Sequence, residues 1–277
     1  MIIDSHQHLW TPARGDYDWM PKGDPVLDRV YAPRDLAPIL RANGVDATVI
    51  VQAAATVHET EYMLGLADGT DFIRGVVGWV DFERPADLAQ LQRLKGHPKF
   101  KGVRPMIQDI PDDDWMLRPD IQWAYAALID LDLTFDALGF PRHLANFLTL
   151  LKRHPRMRTV IDHCMKPQIR DPAQFRFWAD GMSRLAQETG ALVKFSALIT
   201  EAGPDWTVAA LKPYVDHILR EFGPGRIMWG SDWPVCRLRA EYAGWMEAAR
   251  LLTAHLGPQD RARIWGGTAA EFYRLEL

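Results

Sequence analysis

Met1-Ile2-Ile3-Asp4-Ser5-His6-Gln7-His8 opens the chain, a short apolar run that ends in two histidines one residue apart. On an extended strand, positions i and i+2 share a face, so His6 and His8 would present both imidazoles to one site. A doubly wound open sheet normally carries a glycine-rich phosphate loop near its first strand. Histidines stand there instead, which favours a closed barrel with its chemistry at the C-terminal strand ends.

Outward from that run, short apolar segments alternate with helical patterns. Strands are expected at Met1–Ser5, Ala47–Gln52, Phe72–Val80, Phe100–Arg104, Leu133–Ala137, Arg158–Asp162, Leu192–Ser196 and Arg226–Gly230. Helices are expected at Arg34–Ala42, His58–Leu66, Ala86–Leu94, Ile121–Leu131, Arg142–Lys152, Ala173–Thr189, Val208–Phe222 and Glu241–His255. Pro33 suits a first helical turn, and Gly44 lies where that helix should stop. Leu144, Phe147, Leu148 and Leu151 recur at helical spacing. About eight βα units, without linker or low-complexity segment, predict an α/β protein: one (β/α)₈ TIM barrel domain over residues 1–277. Two irregular stretches, Thr11–Tyr31 and Gln108–Pro119, are placed to cover the barrel mouth; the second holds Asp112-Asp113-Asp114, read as solvated.

The 277 residues are 48% hydrophobic and 25% charged, with a formal net charge of −4. That supplies a large core and no basic footprint for nucleic acid. No apolar run approaches the roughly 20 residues of a membrane helix, and the opening segment lacks the pattern of a secretory signal. Cys164 and Cys236 read as free thiols of a reducing compartment, so a cytoplasmic protein is expected. Eleven tryptophans are present; Trp10, Trp79, Trp229 and Trp233 fall near strand ends, where they either wall a pocket for a cyclic ligand or pack in the core. Nothing separates a monomer from a homo-oligomer.

The polar residues at the strand ends carry the chemistry. Imidazole serves as metal ligand and proton carrier near neutral pH, which suits His6, His8 and His163. His163 follows the sixth strand in Val160-Ile161-Asp162-His163; adjacent residues face differently, so His163 is assigned to the site and Asp162 to structure. Asp232 follows the eighth strand in Trp229-Gly230-Ser231-Asp232-Trp233-Pro234. Barrel closure sets that strand beside the first, and a carboxylate there can take a proton from an attacking water. Arg104 ends the fourth strand, and its planar donor fork fits a carboxylate or several sugar oxygens. Trp10, Gln52, Lys166 and Trp233 are further substrate-binding candidates, with Glu201 a weaker one.

Met1–Trp10, Lys101-Gly102-Val103-Arg104, Val160–His163 and Met228–Pro234, in this order, resemble the amidohydrolase superfamily over essentially the whole chain. The resemblance is to its amidohydrolase-2 branch of sugar-acid lactonases and related decarboxylases. His6-Gln7-His8-Leu9-Trp10 resembles the bacterial lactonases acting on fuconolactone, rhamnonolactone and similar aldonolactones. That resemblance implies a distorted barrel, a small-molecule sugar lactone as substrate, Asp232 as general base, and His6, His8 and His163 around the reacting carbon. It also implies a site for one divalent ion, zinc, on His6, His8 and Asp232, in a branch that includes enzymes working without metal; the ion is expected to be dispensable. Many members hold further metal through a histidine after the fifth strand, where this chain has none, so a binuclear centre is not expected. Thr268 stands where relatives usually carry asparagine. The other readings are metal-dependent decarboxylation of an aromatic or unsaturated acid, and a non-catalytic sugar-acid binding protein.

Overall fold

The computed structural model describes residues 1–277. Its single sheet has eight parallel strands in sequence order: β1 (Ile3–Gln7), β2 (Ala47–Val51), β3 (Ile73–Gly78), β4 (Phe100–Val103), β5 (Thr134–Ala137), β6 (Arg158–Ile161), β7 (Leu192–Phe195) and β8 (Ile227–Trp229). The connecting helices are α1 (Pro33–Asn43), α2 (Val57–Asp68), α3 (Leu88–Lys95), α4 (Gln122–Asp130), α5 (Leu144–Arg153) and α6 (Phe175–Glu188). They continue as α7 (Leu198–Ala202), α8 (Val208–Phe222), α9 (Tyr242–Thr253), α10 (Pro258–Ala262) and α11 (Thr268–Tyr273). All eight expected strands are present, within a residue or two of their expected ends.

Local chemistry sets the helix boundaries. Pro33 occupies the first turn of α1, and Gly44 closes it at φ 67°, a left-handed conformation that glycine adopts without steric cost. Thr56 and Thr207 cap α2 and α8 by accepting from the backbone N–H groups of Glu59 and Ala210. Helix α5 buries Leu144, Phe147, Leu148, Leu150 and Leu151; each such side chain contributes about 1.5–3 kcal/mol on leaving water.

Strand β1 differs from its expected bounds in a way that matters: it runs to Gln7 and so includes His6. Ile3 joins the apolar cluster inside the barrel while His6 faces the site, three residues on. Strict alternation could not turn both inward, and a register shift against β2 between Asp4 and Gln7 resolves the conflict.

Closure between β8 and β1 is made just beyond β8. The Asp232 amide donates to the His6 carbonyl at 2.8 Å, and the His8 amide to the Trp233 carbonyl at 2.7 Å. Asp4 adds a side-chain clasp, accepting from the amides of Ser231 (2.8 Å) and His6 (3.2 Å) and from the Tyr242 hydroxyl (3.0 Å). Gly230 permits this approach, because a Cβ there would lie 2.8 Å from the Cβ of His6.

Inside the barrel, the end remote from the site is apolar. Ile3, Val49, Val77, Val160 and Met228 pack on Ala269, Phe272 and Tyr273 of α11, which plugs the barrel from below. The short helices α7 and α10 have no counterpart among the expected elements, and α11, which begins at Thr268, packs under the barrel.

Candidate active site

Above the apolar plug the barrel interior becomes charged. Asp136 on β5 and Lys194 on β7 alternate with core residues Phe135, Val193 and Phe195, so the pleat turns both inward. Lys194 Nζ lies 2.5 Å from Asp136 Oδ2 and 3.0 Å from Asp162 Oδ1, with all three groups fully buried. Tyr273 of the plug donates to Asp136 at 2.7 Å. Asp162 also pairs with Arg104 at 3.3 Å. Burial alone would raise the Asp162 carboxyl, but Lys194, His6 and Arg104 outweigh it and hold this group well below the usual carboxylate range.

The next layer up is the histidine–aspartate cluster. His6 Nε2 is 3.2 Å from His8 Nε2, and Asp232 Oδ1 lies 3.7 Å from the first and 3.3 Å from the second. His163 Nε2 is 3.9 Å from the same oxygen. His8 Nδ1 is 2.7 Å from the Val51 carbonyl, which can only accept, so this nitrogen carries the proton and Nε2 turns its lone pair to the site. Burial, reinforced by Lys194, pushes His6 well below the ordinary histidine value. Burial likewise takes His163 down to about 3. Asp232 moves the same way: burial opposes its charge, but His163, His8 and Lys166 more than compensate and lower it. Two neutral imidazoles thus face an ionised carboxylate near neutral pH.

Backbone strain aims these groups. His163, Cys164, Met165 and Lys166 all adopt left-handed conformations, at φ 53°, 50°, 59° and 47°, and Asp232 does so at φ 56°. Each non-glycine residue there costs about 1–2 kcal/mol, and such strain persists where surrounding contacts impose it. Here Trp178 donates to the Cys164 carbonyl at 2.7 Å, and the Cys164 thiol meets the Lys194 carbonyl at 3.3 Å. Ser196 Oγ holds His163 Nδ1 at 2.8 Å.

The cluster floors a cavity of about 290 Å³ lined by His8, Trp10, Trp19, Arg104, Gln108, His163, Lys166 and Asp232, among others. Its volume sits near the lower end of the ~300–1,000 Å³ usual for small-molecule pockets, a fit for one ring. Both irregular stretches reach it: Trp19 covers one side, donating to the Ala53 carbonyl at 2.6 Å, and Gln108 covers another, accepting from Lys166. A wider groove of about 610 Å³ at the opposite end of the barrel, around Arg158, Arg226 and Arg263, contains no histidine.

Two expected substrate contacts do not line the cavity. Gln52 is fully buried beneath it, where its side-chain amide donates to the Arg104 backbone carbonyl and its backbone carbonyl accepts from the Arg104 guanidinium; it positions Arg104. Trp233 turns away and packs edge-on against Tyr31 at 4.9 Å. Trp229 is likewise core, against Tyr242 and Trp265. Glu201 is absent from the lining, whereas Arg104, Trp10 and Lys166 belong to it. His6 sits one layer below the lining and reaches the site through Nε2. Asp113, expected as solvated, is about half exposed and pairs with Arg142 and His143.

Sequence reasoning missed Lys194, Asp136 and Trp19, and gave Asp162 too passive a part. A signal existed for the first two: a lone charge inside a short apolar strand must be paired if buried. The cysteines are both buried and unpaired, as expected.

Three donor atoms suit a metal ion. Tetrahedral zinc with bonds of about 2.0–2.2 Å to nitrogen or oxygen sets its ligand atoms roughly 3.3–3.6 Å apart, against 3.2, 3.3 and 3.7 Å for His6, His8 and Asp232. The proton on His8 Nδ1, held by a backbone carbonyl, is the usual outer support for such a ligand. The residues therefore fit one divalent ion.

A strand-ordered eight-stranded barrel with this mouth defines a hydrolase of the amidohydrolase type, and the chain belongs to the amidohydrolase family, whose model matches residues 3–275. Within it, the chain is 43% identical to an L-fucono-1,5-lactonase of Burkholderia ambifaria, over 99% of this chain and 96% of that protein. A second L-fucono-1,5-lactonase, from Burkholderia multivorans, is 35% identical over the same shares. A crystal structure of a Burkholderia multivorans amidohydrolase with bound zinc superposes with a TM-score of 0.95 at 34% identity, covering both chains completely.

Proposed function

We propose that this chain hydrolyses an aldonolactone of the L-fuconolactone kind to its open aldonic acid, with Asp232 as general base. The single observation that carries this reading is the full-length identity to L-fucono-1,5-lactonases, set on a cavity floored by an ionised carboxylate among neutral imidazoles. The whole of residues 1–277 then works as one domain on a small-molecule lactone.

The lactone carbonyl lies against His163 and the guanidinium of Arg104, with the ring between Trp10, Trp19 and Lys166. Ser196 donates its hydroxyl proton to His163 Nδ1, leaving Nε2–H for the carbonyl oxygen. Asp232 takes one proton from water as the water oxygen bonds to the carbonyl carbon. The tetrahedral oxyanion is held by His163 and Arg104. As the carbonyl re-forms, the ring C–O bond breaks and the ring oxygen recovers the proton from Asp232. The product is a hydroxy acid that releases its carboxyl proton to solvent. A divalent ion on His6, His8 and Asp232 would lower the pKa of bound water and polarise the carbonyl. The residues named above supply base and oxyanion donors in their own right, so we hold the ion dispensable.

No helix is long and apolar enough to cross a membrane; two buried free cysteines support a reducing, cytoplasmic setting. The decarboxylase reading calls for a tightly held ion. A panel of aldonolactones with a pH indicator, run with and without chelator, tests the proposal. Acid release from fuconolactone-like substrates in both arms is expected; none in either arm would refute lactone hydrolysis.

A further inference from the structure

We propose that Lys194 is a positioning residue that fixes His6 as its Nε2–H tautomer, so that a histidine proton occupies the centre a metal ion would take. This rests on the lactonase reading above only in treating His6, His8 and Asp232 as the working cluster. Lys194 Nζ lies 3.1 Å from His6 Nδ1. A buried ammonium between two carboxylates, Asp136 at 2.5 Å and Asp162 at 3.0 Å, has only protons to offer. His6 Nδ1 must then accept, and a neutral imidazole that accepts there carries its proton on Nε2.

The other side of the ring agrees. His8 donates from Nδ1 to the Val51 carbonyl, so its Nε2 is a lone pair facing His6 Nε2 at 3.2 Å and the Asp232 carboxylate at 3.3 Å. Three lone pairs converging this closely repel unless something positive lies among them. The Nε2–H of His6 supplies it. One contact pulls the other way: Arg104 Nη1, also a pure donor, stands 3.4 Å from His6 Nε2. It is the longer of the two, and Arg104 is already engaged by Asp162 and the Gln52 carbonyl.

Histidine ligands of metals usually donate their remote N–H to a carboxylate or carbonyl, which leaves the near nitrogen free to bind. An acceptor for that arrangement is present: Asp162 Oδ1 lies 3.6 Å from His6 Nδ1, and its only close partner is the Lys194 ammonium at 3.0 Å. Lys194 stands between them as a competing donor. Its presence therefore supports the metal-free cluster and weakens the hold on zinc, and its removal should let His6 turn its proton toward Asp162.

The test uses ¹⁵N-histidine spectra of the full chain without metal, and zinc titration monitored by calorimetry. The wild-type spectrum should show His6 as Nε2–H and His8 as Nδ1–H. Lys194→Met should convert His6 to Nδ1–H and tighten zinc about tenfold, the scale of outer-shell effects on metal affinity. Because loss of a nearby cation could by itself tighten zinc, the charge-balanced Lys194→Met/Asp136→Asn variant is the control, and it should retain both changes; it also serves if the single variant fails to fold. A wild-type His6 found as Nδ1–H overturns the proposal, as does zinc affinity changed less than about twofold in the charge-balanced variant. Neither readout involves a lactone, so a chain that opened no lactone would leave this test intact.

Discussion

Asp232 and His163 share one buried pocket and carry opposite electrostatic consequences of burial. Desolvation penalises the charge on each, but Asp232 is flanked by His163, His8 and Lys166, which lower it below its ordinary value, whereas His163 falls to about 3. The signs follow directly. Asp232 is ionised above its lowered value, and His163 is neutral above about 3, so neither changes charge near neutral pH. For the metal-free enzyme, kcat/KM should be flat between about pH 5 and 8 once spontaneous hydrolysis is subtracted. A pH–rate limb with its midpoint near 6.5 would mean that an unshifted histidine is the essential base. At this scale the histidines, Asp232 and Arg104 were legible because they end apolar runs. Gln52 and Trp233 were misread for want of side-chain direction: a position at a strand end does not say whether its side chain turns into the mouth or back into the wall.

Closure of the barrel depends on a few bonds between elements that are far apart in the chain. Asp4 clasps the turn after β8, accepting from Ser231 and His6 amides and the Tyr242 hydroxyl. Asp4→Ala leaves these buried donors without an acceptor, and at about 1–3 kcal/mol for an unsatisfied buried group the loss should reach about 2–5 kcal/mol. Tyr242→Phe, which removes one partner, should cost about 1 kcal/mol. Urea unfolding of the two variants checks the order, and equal stability of both with the wild type would remove the clasp from the account. The strands themselves were legible from alternating segments bounded by Gly, Pro and Asp. The short helices α7 and α10 were not, being too brief to show a 3.6-residue period. The left-handed turn at His163–Lys166 was equally hidden, since no glycine marks it; tertiary contacts from Trp178 and β7 impose it.

Across the whole molecule, the candidate site is made by joining the two ends of the chain. The opening strand brings His6 and His8, the last strand brings Asp232, and α11 seals the floor beneath the buried Lys194–Asp136–Asp162 group. Barrel class and site rim could be read from the order of motifs, because eight repeated units leave few other ways to bury their apolar faces. The charged layer between floor and rim could not, because its members meet only after closure. The central claim is that this closure places a general base against the substrate carbonyl. Its most direct measurement is kcat for fuconolactone hydrolysis by Asp232→Asn beside the wild type, with thermal melting recorded for both. The account predicts a fall of about 10²–10⁴-fold, the usual contribution of a positioned base, with the melting temperature essentially kept. A variant that melts normally and turns over at the wild-type rate would contradict it.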